Sequence, residues 1–182
     1  MGTTRISLSD TLLQRTSPES VKAVMGHEIG HFVLGHIHTM LVYFGLILLF
    51  GFMFTHYTYA WAQRKWGEKW GIGDIADIAG LPLFMACLSV YFLLATPMVN
   101  SIVRVNEVEA DIFGLNASLE PDGMAAVDMM LGEYRKMRPG KWEEIIFFDH
   151  PAGYNRVLMS MRWKAAHQII DANPLPNKDE TK

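Results

Sequence analysis

Residues 27–31, with the sequence HEIGH, carry the side chains best suited to chemistry. His27 and His31 are four residues apart and share one face of a helix, so both imidazoles can bind a single Zn²⁺. Glu28 can then accept a proton from a water molecule at the open zinc position without being a ligand itself. These groups are the minimum needed for metal-assisted hydrolysis of a peptide bond.

The residues around this segment predict the helix that must carry it. Ser17 is suited to the N-cap, Pro18 to the first helical position and Glu19 to the acidic first turn. Apolar residues follow at helical spacing, with no proline to interrupt them. Gly26 and Gly30 either allow another backbone to approach closely or are simply tolerated in a weaker helix.

A third zinc ligand must come from elsewhere in the chain. One known arrangement has a third histidine six residues after the second, but that position is Ile37. His36 and His38 stand at offsets that do not share the face of His27 and His31. We interpret both as structural or interfacial histidines, because isolated histidines seldom bind metal.

The best carboxylates lie in residues 106–111, with the sequence NEVEAD. Glu107 and Asp111 share a helix face, whereas Glu109 lies about 200° from Glu107 around the axis. We therefore predict that Glu107 binds zinc, that Asp111 accepts the N–H of a ligating histidine, and that Glu109 faces away. The alternative is a solvated acidic helix face, which such runs usually form.

Length, charge and cysteine content restrict the class of protein. A chain of 182 residues is long enough for one domain with a sizeable core, and we predict that residues 1–171 form it. The net charge of −3 argues against a nucleic-acid partner. The single cysteine, Cys87, excludes an intrachain disulfide. Residues 172–182 are polar and contain proline, which predicts a disordered tail.

Two long uncharged runs, residues 29–63 and 78–103, separate the histidines from the acidic segment. Each can supply the roughly 20 apolar residues of a membrane span, and we place the spans at about residues 39–62 and 79–103. Aromatic residues typical of a membrane interface cluster near the end of the first run: Tyr57, Tyr59, Trp61, Trp66 and Trp70. Two crossings return the chain to its starting side, where His27, His31 and Glu107 can meet. The alternative is a pair of buried helices in a soluble protein.

The remaining segments predict a mainly α fold with one short strand. Residues 4–10 alternate polar and apolar side chains, as a half-buried edge strand does. Helices are predicted from about residue 120 to 137, around residues 142–148, and from about residue 152 to 171.

Four features follow one another along the chain: HEIGH, a two-span hairpin, RVNEVEAD at residues 104–111, and the pair His150-Pro151 followed by Arg156. Together they resemble a known group of proteins. It is the group of integral-membrane zinc endopeptidases of the CAAX prenyl protease type 1 and HtpX kind, which are gluzincins. The resemblance implies one Zn²⁺ per chain, bound by His27, His31 and Glu107. It further implies Glu28 as catalytic base and Asp111 as the residue that orients a ligand histidine.

The resemblance also implies roles that spacing alone does not supply. His150 would stabilise the developing oxyanion, and Arg156 would help to organise the site. Substrates would be peptides or proteins, membrane-associated or misfolded, and membrane lipid would surround the spans. Members of the group usually have further spans upstream, so we expect a fragment or a shortened copy.

Sidedness rests on two signals that disagree. The Lys and Arg count slightly favours a cytoplasmic loop between the spans, whereas the resemblance implies that the active site faces the cytoplasm. We adopt the second, in a multi-pass protein of a bacterial inner membrane or its equivalent. A rival hypothesis is a catalytically silent membrane module that keeps the metal helix as a scaffold and binds proteins or lipids through the hairpin.

Overall fold

Seven α-helices form the regular structure of residues 6–133 and 135–167, the part of the chain that the computed structural model describes. In chain order they are α1 (Asp10–Arg15), α2 (Pro18–Val33), α3 (His36–Trp70), α4 (Leu81–Ser118), α5 (Pro121–Leu131), α6 (Lys141–Phe147) and α7 (Gly153–Ala166). A 3-10 turn at Ile78–Gly80 leads into α4. The prediction of a mainly α fold with two membrane-length helices is confirmed.

The residues that the structure describes do not form the predicted N-terminal edge strand. Residues 6–9 form no regular element, Asp10 begins α1, and residues 4 and 5 lie outside the described part. The Ser9 side chain accepts the backbone N–H of Leu12 at 3.2 Å and so caps α1. Alternation over a few residues predicts a strand only weakly, and here a serine N-cap with an acidic first turn favours the helix instead.

Helix α2 carries the HEIGH segment and begins as its sequence predicts. The Ser17 side chain accepts the backbone N–H of Ser20, and Pro18 takes the first helical position. The helix ends at Val33, and Gly35 then adopts a φ of +70° before α3 starts at His36. Glycine suits this left-handed conformation because it has no Cβ to clash with the backbone. The chain therefore breaks and redirects between two helices that otherwise follow one another directly.

Helices α3 and α4 form the predicted hairpin. The Tyr91 hydroxyl of α4 donates to the Ile47 carbonyl of α3 at 2.5 Å, and near the connection the Tyr59 hydroxyl donates to the Asp74 carbonyl at 3.0 Å. The most apolar windows have mean hydropathies of 2.1 and 2.2, yet only 11% of each is buried. The alternative of two buried helices in a soluble protein therefore has no support in the packing of the described residues.

The C-terminal helices pack around α2, the helix that carries the HEIGH segment. A core of Ala23, Leu115 and Met124 joins α2, α4 and α5, and Met159 and Trp163 of α7 pack against it. The helix predicted to reach about residue 137 ends at Leu131, and the last one ends at Ala166. The predicted disordered tail lies outside the described residues.

Candidate metal centre

Helices α2 and α4 cross at a seam of very small residues, and this crossing assembles the site. A Cβ added to Gly26 would lie 3.0 Å from the Gly114 carbonyl oxygen, and one added to Gly30 would lie 3.2 Å from the Cα of Ala110. Small residues allow two helices to approach this closely. The paired spacing of Gly26 and Gly30 against Ala110 and Gly114 thus sets the HEIGH face of α2 against the acidic face of α4.

The crossing brings together His27, His31 and Glu107, the three predicted ligands. Their ligand atoms lie within 4.8 Å of one another. The two Nε2 atoms are 3.1 Å apart, and each lies 3.5 Å from a different oxygen of Glu107. Ligand atoms about 2.0–2.1 Å from a tetrahedral zinc ion lie roughly 3.3–3.4 Å from one another. These two histidines and one carboxylate therefore fit a zinc ion in both chemistry and spacing.

Asp111 supports the first of the histidines. Its Oδ1 lies 2.7 Å from His27 Nδ1, and Arg156 donates to both of its carboxylate oxygens at 2.6 and 2.7 Å. A carboxylate can only accept, so Nδ1 of His27 carries the proton and the Nε2 lone pair faces Glu107 and His31. The structure thus places Asp111 and Arg156 in a buried chain behind His27.

The electrostatics of the cluster favour a positive charge between the three groups. Contact with the Glu107 carboxylate raises the pKa of His31, although burial acts against it. Burial by itself would raise the pKa of Glu107, but the neighbouring His31, His150 and His27 outweigh it and hold that pKa below its usual range. The pKa of Asp111 is lowered in the same way, because His27 and Arg156 outweigh the effect of burial.

His150 comes to the same cluster from the far end of the chain. Its Nε2 lies 3.3 Å from Glu107, and its Nδ1 lies 2.9 Å from the carboxylate of its neighbour Asp149. Two residues of α4 donate hydrogen bonds to helix α6 and the residue after it, which precede His150 in the chain. Arg104 donates to the Glu144 and Phe148 carbonyls, and Asn100 donates to the Ile146 carbonyl. Sequence reasoning gave no role to Arg104 or Asn100, because only the fold brings α6 beside α4.

Glu28 is exposed at the edge of a cleft of about 230 Å³. The cleft is also lined by His27, Glu107, His150 and Arg156. Five of the seven predicted site residues therefore share one opening, which leaves room for a substrate beside the predicted metal ligands.

Asp128 of α5 is a buried carboxyl in this cleft that the sequence analysis did not single out. It lies 3.1 Å from Arg156 Nη1, but without hydrogen-bond geometry. Arg156 donates two hydrogen bonds to Asp111 and none to Asp128. The guanidinium therefore stabilises the Asp128 carboxylate less than it stabilises that of Asp111. Burial consequently raises the pKa of Asp128 to about 7, with Arg156 opposing the rise and Asp111 adding to it. No motif marked this residue, since its environment is created by the packing of α5 on α7.

His36 and Glu109 also lie beside the cluster. His36 Nδ1 is 2.8 Å from His31 Nδ1, and His36 Nε2 is 3.2 Å from Glu109 Oε2. Neither residue belongs to the group of three metal-ligand candidates. His36 was predicted to be structural or interfacial and Glu109 to face away, whereas the contact between them was not predicted.

Two helix-borne histidines in the HExxH pattern, joined by a glutamate of another helix, are typical of helical metallopeptidases. The chain belongs to Peptidase family M48, whose family model matches residues 1–161. It is therefore a member of a metalloprotease family, and the predicted resemblance to the CAAX prenyl protease and HtpX group is confirmed.

Three relatives show the range of this similarity. The chain is 28% identical over 173 residues to the uncharacterized metalloprotease YhfN of Bacillus subtilis, covering 93% of this chain and 40% of the relative. It is 30% identical over 149 residues to the CAAX prenyl protease 1 homolog of Oryza sativa, covering 81% and 35%. It is 26% identical over 175 residues to the protease HtpX of Chromohalobacter salexigens, covering 84% and 56%. The chain thus spans 35–56% of the length of these relatives. No solved structure matches it.

Proposed function

We propose that this chain carries the active site of a zinc-dependent membrane endopeptidase that cleaves membrane-associated or misfolded proteins. One observation carries the proposal: the Nε2 atoms of His27 and His31 are 3.1 Å apart, and each lies 3.5 Å from an oxygen of Glu107. Membership of a metalloprotease family supports the same reading.

The residues around the proposed ligands have different roles in hydrolysis. A zinc ion bound by His27, His31 and Glu107 would acidify a water molecule and polarise the scissile carbonyl. Glu28, exposed in the cleft, accepts the proton of the attacking water and afterwards delivers it to the leaving amine. Its neighbour on the helix, His27, is held by Asp111, so that the base and the ligand keep a fixed spacing.

His150 and Arg156 complete the set in supporting roles. His150 lies beside Glu107 at the rim of the cleft, where its imidazolium form can donate Nε2–H to the oxyanion that develops on the substrate. One such donor is worth about 3–4 kcal/mol of transition-state stabilisation. Arg156 neutralises Asp111 and so keeps that carboxylate available to His27.

Helices α3 and α4 would anchor the site in a membrane. Leu48, Leu49, Phe52 and Leu93 are among the large apolar side chains that their surface exposes, and lipid would cover this surface. Because the hairpin crosses twice, α2 and the metal-binding end of α4 would lie on one side, which we propose is the cytoplasmic side. Substrates with apolar segments could then reach the cleft from the membrane surface.

The test is hydrolysis by the purified chain in detergent micelles, with an unfolded fluorescent protein as substrate. We expect about one zinc per chain and cleavage that a chelator abolishes and added zinc restores. Glu28→Gln should keep the zinc but lose cleavage. Glu19→Gln, an exposed glutamate at the other end of α2, is the matched control and should cleave as the unaltered chain does. Bound zinc without any cleavage would instead favour the catalytically silent membrane module.

A further inference from the structure

The second ligand histidine is supported differently from the first. His27 contacts a buried carboxylate directly, whereas the outer nitrogen of His31 meets another imidazole, that of His36, at 2.8 Å. The far nitrogen of His36 meets Glu109 at 3.2 Å. The His36 side chain is 6% exposed and that of Glu109 is 55% exposed, so the three groups run from the metal cluster to the surface.

The proton positions in this chain of contacts follow from its carboxylate end. The Glu109 carboxylate can only accept, so Nε2 of a neutral His36 carries the proton and its Nδ1 has the lone pair. That lone pair accepts a hydrogen bond from Nδ1–H of His31. The Nε2 atom of His31 is then deprotonated and free to bind a metal, as in the support that ligand histidines usually receive from neighbouring acceptors.

We propose that His36 and Glu109 are positioning residues that hold His31 in the tautomer and orientation needed to bind zinc. This inference rests on the proposed zinc function and assigns that site a second support, separate from the Asp111–Arg156 support of His27. Neither residue is one of the three proposed ligands.

The break between α2 and α3 makes this contact possible. In one unbroken helix, a residue five positions after His31 would lie about 140° around the axis from it. Gly35, with its φ of +70°, ends that continuity and begins a new helix at His36. The imidazole of His36 thereby returns towards His31 and also meets Glu109 of α4.

The experiment measures the zinc dissociation constant by competition with a chromophoric chelator. Glu109→Gln removes the charge at an exposed position and should weaken zinc binding by about 10-fold, the lower end of the usual range for such supporting residues. His36→Leu removes the acceptor and should weaken it at least as much. His36→Gln keeps an amide oxygen to accept from His31 and an N–H to donate to Glu109, so it should recover most of the affinity. Glu120→Gln, which breaks the ion pair between Glu120 and Lys22 of α2, is the control and should leave the zinc affinity unchanged.

A second readout reports the tautomer itself. In ¹⁵N-histidine NMR spectra of the zinc-loaded chain, His31 should show an Nδ1–H signal shifted by its hydrogen bond to His36, and both His36→Leu and Glu109→Gln should move that signal. The proposal is wrong if the unaltered chain binds zinc and both Glu109→Gln and His36→Leu bind it equally tightly. An unaltered chain that binds no zinc would instead remove the proposed function, and this inference with it.

Discussion

Gly114 of α4 lies so close to His27 of α2 that a Cβ added to the glycine would stand 2.9 Å from the backbone nitrogen of His27. The atom in the way belongs to the backbone, which cannot rotate aside as a flexible side chain can. The separation of the two helices, and with it the distance from His27 and His31 to Glu107, therefore depends on the absence of a single methyl group.

Gly114→Ala should push α2 and α4 apart. We expect a loss of about 1–3 kcal/mol in the free energy of unfolding, as for other overpacked sites, together with weaker zinc binding. Thermal unfolding and chelator competition in detergent micelles measure the two effects. Gly45→Ala is the matched control, because no atom lies within 4 Å of its added Cβ. In a helix interior that exchange should be neutral or stabilising by up to about 1 kcal/mol. Equal behaviour of the two variants would contradict the role given to the crossing.

Arg156→Leu should be strongly destabilising. It removes the partner of Asp111, a carboxylate with no exposed surface, and breaking a buried pair in this way typically costs about 3–5 kcal/mol. Lys136→Met breaks the exposed ion pair with Glu143 and should cost about 1 kcal/mol or less. Chemical denaturation of both variants measures the difference. A similar small loss in both would mean that Asp111 does not depend on the guanidinium.

Glu107→Ala should lower zinc occupancy far more than Glu109→Ala. The first removes a proposed ligand atom, and the second removes only the end of the support behind His31, for which we expect a loss of about 10-fold. Metal analysis after dialysis against a graded chelator series separates the two. Equal losses would overturn the choice of Glu107 as the ligand.

Asp128→Asn should alter how stability depends on pH. The pKa of Asp128 is raised to about 7 in the fold from an ordinary value of 3.8, so the folded chain holds this proton more tightly than the unfolded chain. The stability that Asp128 contributes is therefore present at low pH and is lost as pH rises through about 7. Relative to the unaltered chain, Asp128→Asn should gain stability as pH rises from about 4 to about 7, as measured by melting temperature. Parallel pH profiles for the two chains would contradict this assignment.

The local parts of the fold could be predicted because helix geometry relates neighbours in sequence. The start of α2, the shared face of His27 and His31, and the shared face of Glu107 and Asp111 all follow from 3.6 residues per turn. The two long apolar helices were equally predictable, since their length and composition are properties of the sequence. The strand over residues 4–10 was wrong because a few alternating residues compete poorly with a serine-capped helix start.

The contacts that surround the ligands could not be predicted in the same way. Sequence spacing indicated that Glu109 points away from the metal face, but not that His36 would stand beside it. That meeting depends on Gly35, whose left-handed conformation separates α2 from α3. Asp128 was missed for a related reason: its burial and its raised pKa arise only when α5 packs over Arg156.

The sequence by itself determined which residues could bind a metal and which helix face each occupies, because that information is contained within one or two helical turns. Only the tertiary structure decided that the two faces meet, since this requires a backbone crossing close enough for Gly26 and Gly30 to touch Ala110 and Gly114. It also decided which groups support each histidine. Such contacts join residues that are distant along the chain, and their geometry depends on packing that no local pattern encodes.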